Sequence, residues 1–302
     1  RAGTAVCSAI EHHAVLDVVE QSGGRIVGVG ARGQIDLDQL EATLDHDVSL
    51  VSVMLANNET GVVQPLAEVA EVVRRNAPNA VLHTDAVQAF PWLDVATLAQ
   101  PADLVTVSAH KFGGPQGVGA LLVREGVAIA ARQRGGGQER ERRSGTQNVA
   151  GIAAMATAAT EMTNHRPAEA ERIAALRDRL VDGLRRNVGG AFESGVDLPG
   201  EHPASIADRS HKTPNVAHLC FEGIESEALL FLLEKVDIMA SAAASCSSGA
   251  LEPSHVLAAM GYNRDLAFGS LRLSLGYPTT ADDIDRALDV IPDAVERLRA
   301  AV

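Results

Sequence analysis

Long apolar runs are missing from this chain. No stretch of 18 apolar residues occurs, so no membrane-spanning helix is expected. Cysteine is scarce: Cys7, Cys220 and Cys246 are the only three in 302 residues, odd in number and far apart. That pattern argues against a disulfide framework and a clustered zinc site, and it fits a reducing, cytoplasmic setting. Basic side chains are outnumbered, 26 against 39 acidic, for a formal charge of −13. A surface built to coat nucleic acid or an anionic membrane is therefore not expected, the one basic cluster being Arg132 to Arg143. No targeting segment, internal repeat or low-complexity tract is apparent.

What is present is a chain 46% hydrophobic, long enough for a large core and two domains. Its first half alternates. Arg25 to Val29 reads as a strand, Leu37 to Leu44 as a helix, Ser49 to Leu55 as a strand, Leu66 to Arg75 as a helix and Ala80 to His83 as a strand. Leu104 to Val107 and Val118 to Val123 are further strands. Strands this uniformly apolar predict an α/β fold with a mainly parallel sheet covered by helices, and ligands bind such sheets beyond the strands' carboxyl ends. The polar clusters sit there: Asn57-Asn58-Glu59, Asp85, and Ser108-Ala109-His110-Lys111. Arg132 to Thr146 is polar, glycine-rich and aperiodic, and reads as a long functional loop. An alanine-rich helix from Gln147 to Glu161 precedes a break expected at Asn164 to Pro167, then an amphipathic helix from Ala168 to Arg186. That shift places the domain boundary between 163 and 164. Strands at Val216 to Phe221 and Leu271 to Leu275, with helices at Glu225 to Glu234 and Ala281 to Ala300, complete a smaller α+β domain over 164–302.

Several residues are out of character for a core. Lys111 directly follows a buried strand and precedes glycines; it is either an ordinary loop lysine or an amine placed for covalent chemistry. Asp85 ends a buried strand, where a carboxylate serves as a helix cap or faces a cation. An acid and a lysine at neighbouring strand ends suit pyridoxal phosphate, which needs an amine for its aldehyde and an acid on its ring nitrogen. In Glu11-His12-His13, ahead of an apolar helical run, a histidine either caps the helix or stacks on a cofactor ring. Cys246 lies in a run of small residues, Ser241 to Gly249, without the bulk a core needs, and so is expected to be an exposed nucleophile. Cys7 and Cys220, among apolar neighbours, are expected in the core. Arg272 sits inside an apolar strand, its planar fork suited to a protein acid or a substrate carboxylate. Gly28 to Gly33 has dinucleotide-fingerprint spacing, but Gln34-Ile35-Asp36 separates it from the next helix, and no acid stands about twenty residues on.

Taken in order, Glu11 to Leu16, Asn57 to Gly61, His83 to Gln88, Ser108 to Lys111, Arg143 to Thr146, Cys246 through Ser254, and Leu271 to Gly276 resemble the cysteine desulfurases. These are pyridoxal-phosphate enzymes of the class V aminotransferase group, fold type I. The resemblance spans essentially the whole chain and implies a seven-stranded-type sheet in the large, cofactor-binding domain. It also implies roles. Lys111 carries pyridoxal 5′-phosphate, Asp85 pairs with its ring nitrogen, His12 stacks on the ring and Gln88 bonds the ring hydroxyl. Ser108 and His110 bind the phosphate with Thr146 from the other subunit of a homodimer. Asn58 and Arg272 hold the carboxylate of L-cysteine. Cys246 takes the sulfur as a persulfide for an acceptor or scaffold protein, leaving alanine. The family's opening Asn-Ala-Ala-Thr-Thr-Pro-like strand and Gly-Thr-Glu turn are not visible here, so a head segment of the large domain is expected to be missing.

The pathway stays open at this stage among iron-sulfur cluster assembly, tRNA thiolation and sulfur modification of DNA, with direct nucleic-acid binding not expected. Alternative activities are selenocysteine lyase, another class V transamination, and a catalytically silent sulfur-transfer scaffold. Cys246 in its loop favours desulfuration over transamination, and the interlocking set of Lys111, Asp85, His12 and Cys246 weighs against silence.

Overall fold

The computed structural model describes residues 3–198, 207–242 and 253–301. In chain order the elements are β1 (Thr4–Ser8), α1 (His13–Gln21), β2 (Arg25–Val27), α2 (Leu37–Thr43), β3 (Val48–Ser52), α3 (Leu66–Asn76), β4 (Val81–Asp85), α4 (Val95–Leu98), β5 (Leu104–Ser108) and β6 (Gly119–Val123). There follow α5 (Val149–Asn187), β7 (Ala191–Glu193), β8 (Val216–Phe221), α6 (Ser226–Glu234), α7 (His255–Ala259), α8 (Arg264–Phe268), β9 (Ser270–Ser274) and α9 (Ala281–Arg299).

Six strands form the larger sheet in the order β2-β1-β3-β4-β5-β6, parallel throughout except for β6, which runs antiparallel to β5. Among the described residues this sheet has six strands rather than seven. The β-α-β crossovers cover it, and Val6, Val51, Val53, Leu82 and Val107 build its core with Leu40 of α2 and Val69 of α3. β7, β8 and β9 make a separate antiparallel sheet. Its core joins Leu219 and Phe221 of β8 and Leu271 of β9 to Leu229 of α6 and Ile291 of α9. No helix among the described residues is long and apolar enough to cross a membrane.

The largest departure from the sequence reading is α5, which runs unbroken for 39 residues through Asn164 and Pro167. Proline inside a helix removes one backbone hydrogen bond and costs about 3 kcal/mol. Tertiary packing offsets that loss. Met162 is buried against Ala109 and Phe112, the Arg166 guanidinium donates to the Phe90 carbonyl at 3.3 Å, and Ile173, Leu180 and Leu184 enter the second core. Position 164 therefore falls inside a helix that touches both cores.

Because β3, β4 and β5 are adjacent and parallel, their carboxyl ends open on one edge. Register places Ser52 beside His83 and Asp85 beside Thr106, two residues short of Ser108. The polar clusters after these strands are thereby brought together.

Candidate active site

Asp85 ends β4 with its backbone held on both sides: its carbonyl accepts from Leu55 N at 2.8 Å, and Ala86 N donates to the Thr106 carbonyl at 2.9 Å. One carboxylate oxygen accepts from Val87 N at 2.9 Å, turning the chain back and fixing the acid's direction. Gln88 is half-buried on the same turn. One strand over, β5 runs into a 3₁₀ turn, Ala109–Phe112, anchored by fully buried Ala109 and by Phe112. Ser108 Oγ and His110 Nδ1 are 2.8 Å apart, while Lys111 is exposed and joins no ion pair among the described residues. Ala109 and Phe112 of the turn pack into a core cluster while His110 and Lys111 are exposed, which is what lets a lysine follow a buried strand.

His12 caps α1. Its Nδ1 accepts from Ala14 N at 3.1 Å, which places any ring proton of the neutral form on Nε2 and fixes the ring's aim. Cap and exposed imidazole, alternatives in the sequence, coexist here. Glu11 beside it is fully buried, accepts from Met54 N at 2.5 Å through Oε1, and leaves Oε2 without a partner. Burial pushes its carboxyl well above the ordinary range, against the Met54 hydrogen bond and with help from the Asp85 charge.

In the smaller sheet, β9 carries Arg272. Its Nη1 donates to the Asn58 carbonyl at 3.2 Å and its Nη2 to Ser241 Oγ at 3.3 Å, while Nε is buried without a partner. A guanidinium with an unused buried donor suits a carboxylate ligand. Thr146 is exposed at the end of the loop before α5, and within that loop Glu139, Arg140 and Glu141 all adopt positive φ.

Cys246 lies outside the described residues. Cys7 and Cys220 are both fully buried, with thiols pushed up to about 12 mainly by burial, so neither supplies a thiolate at neutral pH. No group of three His, Cys, Asp or Glu side chains suited to a metal ion occurs among the described residues. An exposed lysine, an oriented carboxylate, a hydroxyl-imidazole pair and an imidazole of fixed aim, all on one sheet edge, are the donor set that pyridoxal phosphate requires.

Comparison with known proteins agrees. Residues 1–287 match the aminotransferase class-V family. A cysteine desulfurase of Gluconacetobacter diazotrophicus is 41% identical over 97% of this chain and 72% of its own length. The cysteine desulfurase IscS of Methanosarcina thermophila is 40% identical over 97% of this chain and 70% of its own. The chain belongs to the cysteine desulfurases of the class-V aminotransferase family. A solved NifS-like protein superposes with a TM-score of 0.85 at 34% identity, covering 99% of this chain and 76% of that one. Cysteine desulfurases of this class use pyridoxal 5′-phosphate, and so does this chain.

Four residues hydrogen-bonded into the candidate site were given no individual role in the sequence reading: Asn57, Glu59, Ser254 and His255. Asn57 is fully buried and organises the turn after β3, its Oδ1 accepting from Glu59 N, Thr60 N and Thr60 Oγ1 and its Nδ2 donating to the Ile10 carbonyl. The Asn-Asn-Glu cluster was visible, but which of its members turns inward depends on the partner strand. Ser254 ahead of an apolar run had the form of a helix cap and is one, accepting from Val256 N and Leu257 N.

Proposed function

We propose that this chain desulfurates L-cysteine to L-alanine, passing the sulfur as a persulfide on Cys246 to an acceptor protein. The observation that carries the reading is the convergence of Asp85 with the Ser108–His110 pair and Lys111 at two neighbouring strand ends, with Arg272 bonded to Asn58 beyond the end of a third, β3. When bound, pyridoxal phosphate supplies an electron sink for negative charge at the substrate's α-carbon.

In this reading the Lys111 amine holds the cofactor and, once displaced by substrate, moves the α-proton. The Asp85 carboxylate keeps the ring nitrogen protonated, His12 lies over the ring and Gln88 donates to its hydroxyl. Ser108 and His110 take the phosphate, joined by Thr146 from a second copy. Arg272 and Asn58 take the substrate carboxylate. Cys246 attacks the substrate sulfur as a thiolate: a sulfur–sulfur bond forms, the carbon–sulfur bond breaks, its electron pair stays with the carbon, and a proton completes alanine. Residues 1–163 then serve as the large, cofactor-binding domain and 164–302 as the small one.

A homodimer is supported by apolar exposure beside Thr146, with Val149 70% and Ile152 47% accessible. The two buried thiols fit a reducing, cytoplasmic setting. Cys246→Ala tests the assignment: persulfide and alanine formation are expected to be lost while cofactor absorbance stays. Unchanged alanine production would remove the thiol from the mechanism.

A further inference from the structure

Glu59 is 4% exposed, yet none of the roles above uses it. Its Oε2 accepts a hydrogen bond from Ser254 Oγ, 195 residues away, joining the large sheet to the first turn of α7. The Ser254 hydroxyl is fully committed. It accepts from Val256 N at 3.1 Å and Leu257 N at 3.3 Å, so its single proton goes to Glu59. The next residue, His255, donates from Nε2 to the Glu11 carbonyl at 3.0 Å, beside His12.

The neighbouring residue on the same turn reaches a second anchor. Asn58 holds Arg272 through its carbonyl, and Arg272 exchanges backbone hydrogen bonds with Ser241, at 2.8 and 3.1 Å. Ser241 and Ser254 flank Cys246 in sequence. Consecutive residues of one turn, made stiff by buried Asn57, thus tie down the chain before and after the nucleophile.

We propose that Glu59 is a positioning residue for sulfur transfer: by fixing Ser254 it sets where the chain returns to the site after Cys246, without itself touching substrate. This rests on the desulfurase reading. A carboxylate is suited to the task because it accepts in either protonation state, and Glu59 is buried enough to be pushed up to about 7.

The test uses the holoenzyme, with single-turnover formation of the Cys246 persulfide at saturating cysteine, KM for cysteine, cofactor absorbance and thermal stability measured together. Glu59→Ala and Ser254→Ala are each expected to slow persulfide formation about tenfold or more, with KM and absorbance unchanged because Arg272 is held by the Asn58 backbone. The double variant is expected to be no slower than either single one, since both remove the same bond. Glu59→Gln and Ser254→Thr, which keep acceptor and donor, are expected to restore the rate. Wild-type rates in Glu59→Ala, additive losses in the double variant, or a loss confined to KM and absorbance would each overturn the proposal. The unaltered holoenzyme serves separately to test the reading beneath it: no persulfide there defeats the desulfurase assignment itself.

Discussion

Two buried titratable residues give the protein opposing pH dependences. His218 is fully buried, with Nδ1 2.8 Å from Ser194 Oγ, and burial pushes it down to about 3, assisted by the Lys212 and Arg272 charges. An unfolded chain takes up this proton near 6.5 while the native one refuses it, so stability falls as pH drops from about 6.5 towards 3, by roughly 1 kcal/mol per pH unit. Glu59 runs the other way. Burial raises it to about 7, against its Ser254 bond and the Arg272 and His13 charges, so the native state holds a proton that the unfolded state has released. Stability then falls as pH rises from about 4.5 to 7. Urea titrations across pH check both: His218→Asn is expected to flatten the acid limb and Glu59→Gln the limb from about 4.5 to 7. Unchanged slopes would show that neither group is titrating as described. Glu193 is a third case. Burial opposes its charge, but Lys212 Nζ at 3.0 Å and Arg209 Nε at 2.7 Å hold it below the usual carboxylate range. Glu193→Ala strands a buried ammonium and is expected to cost about 3–5 kcal/mol in urea unfolding.

Among the elements, β8 and β9 depend on a close approach that only glycine permits. A β-carbon on Gly269 would lie 2.0 Å from the Phe221 carbonyl oxygen, while Gly269's own carbonyl accepts from Phe221 N at 3.0 Å. Gly269→Ala is expected to destabilise the smaller sheet by about 1–3 kcal/mol or more, read as a lower urea midpoint. That constraint cannot be seen from one strand. The apolar strands could: β8 falls where Val216 to Phe221 predicted it, and β3, β4 and β5 lie within a few residues of their expected places, because period and hydrophobicity are local properties. The break at Asn164 was misread because Pro167 is a local signal, whereas the contacts of Met162, Arg166 and Ile173 that carry α5 through it are tertiary. In the candidate site, Asp85, Ser108, His110 and Lys111 were legible as polar residues closing apolar strands. Glu59 and Ser254, paired across 195 residues, were not, since nothing near either one names the other.

At the scale of the whole molecule, two cores meet along α5, and the strand-end site faces Arg272 of the smaller sheet. The proposed homodimer places Thr146 against a second copy, so Ile152→Asp is expected to shift the molecule towards monomer in sedimentation and to weaken cofactor retention. A dimer that keeps its cofactor in that variant would move the interface elsewhere. The central claim is that this site takes sulfur from cysteine onto Cys246. Its most direct test is mass spectrometry of the Cys246 peptide after the holoenzyme is mixed with L-cysteine, with alanine quantified in the same sample. One added sulfur on Cys246 and alanine in equal amount are predicted; alanine without sulfur on Cys246, or an unmodified peptide and no alanine, would contradict the account.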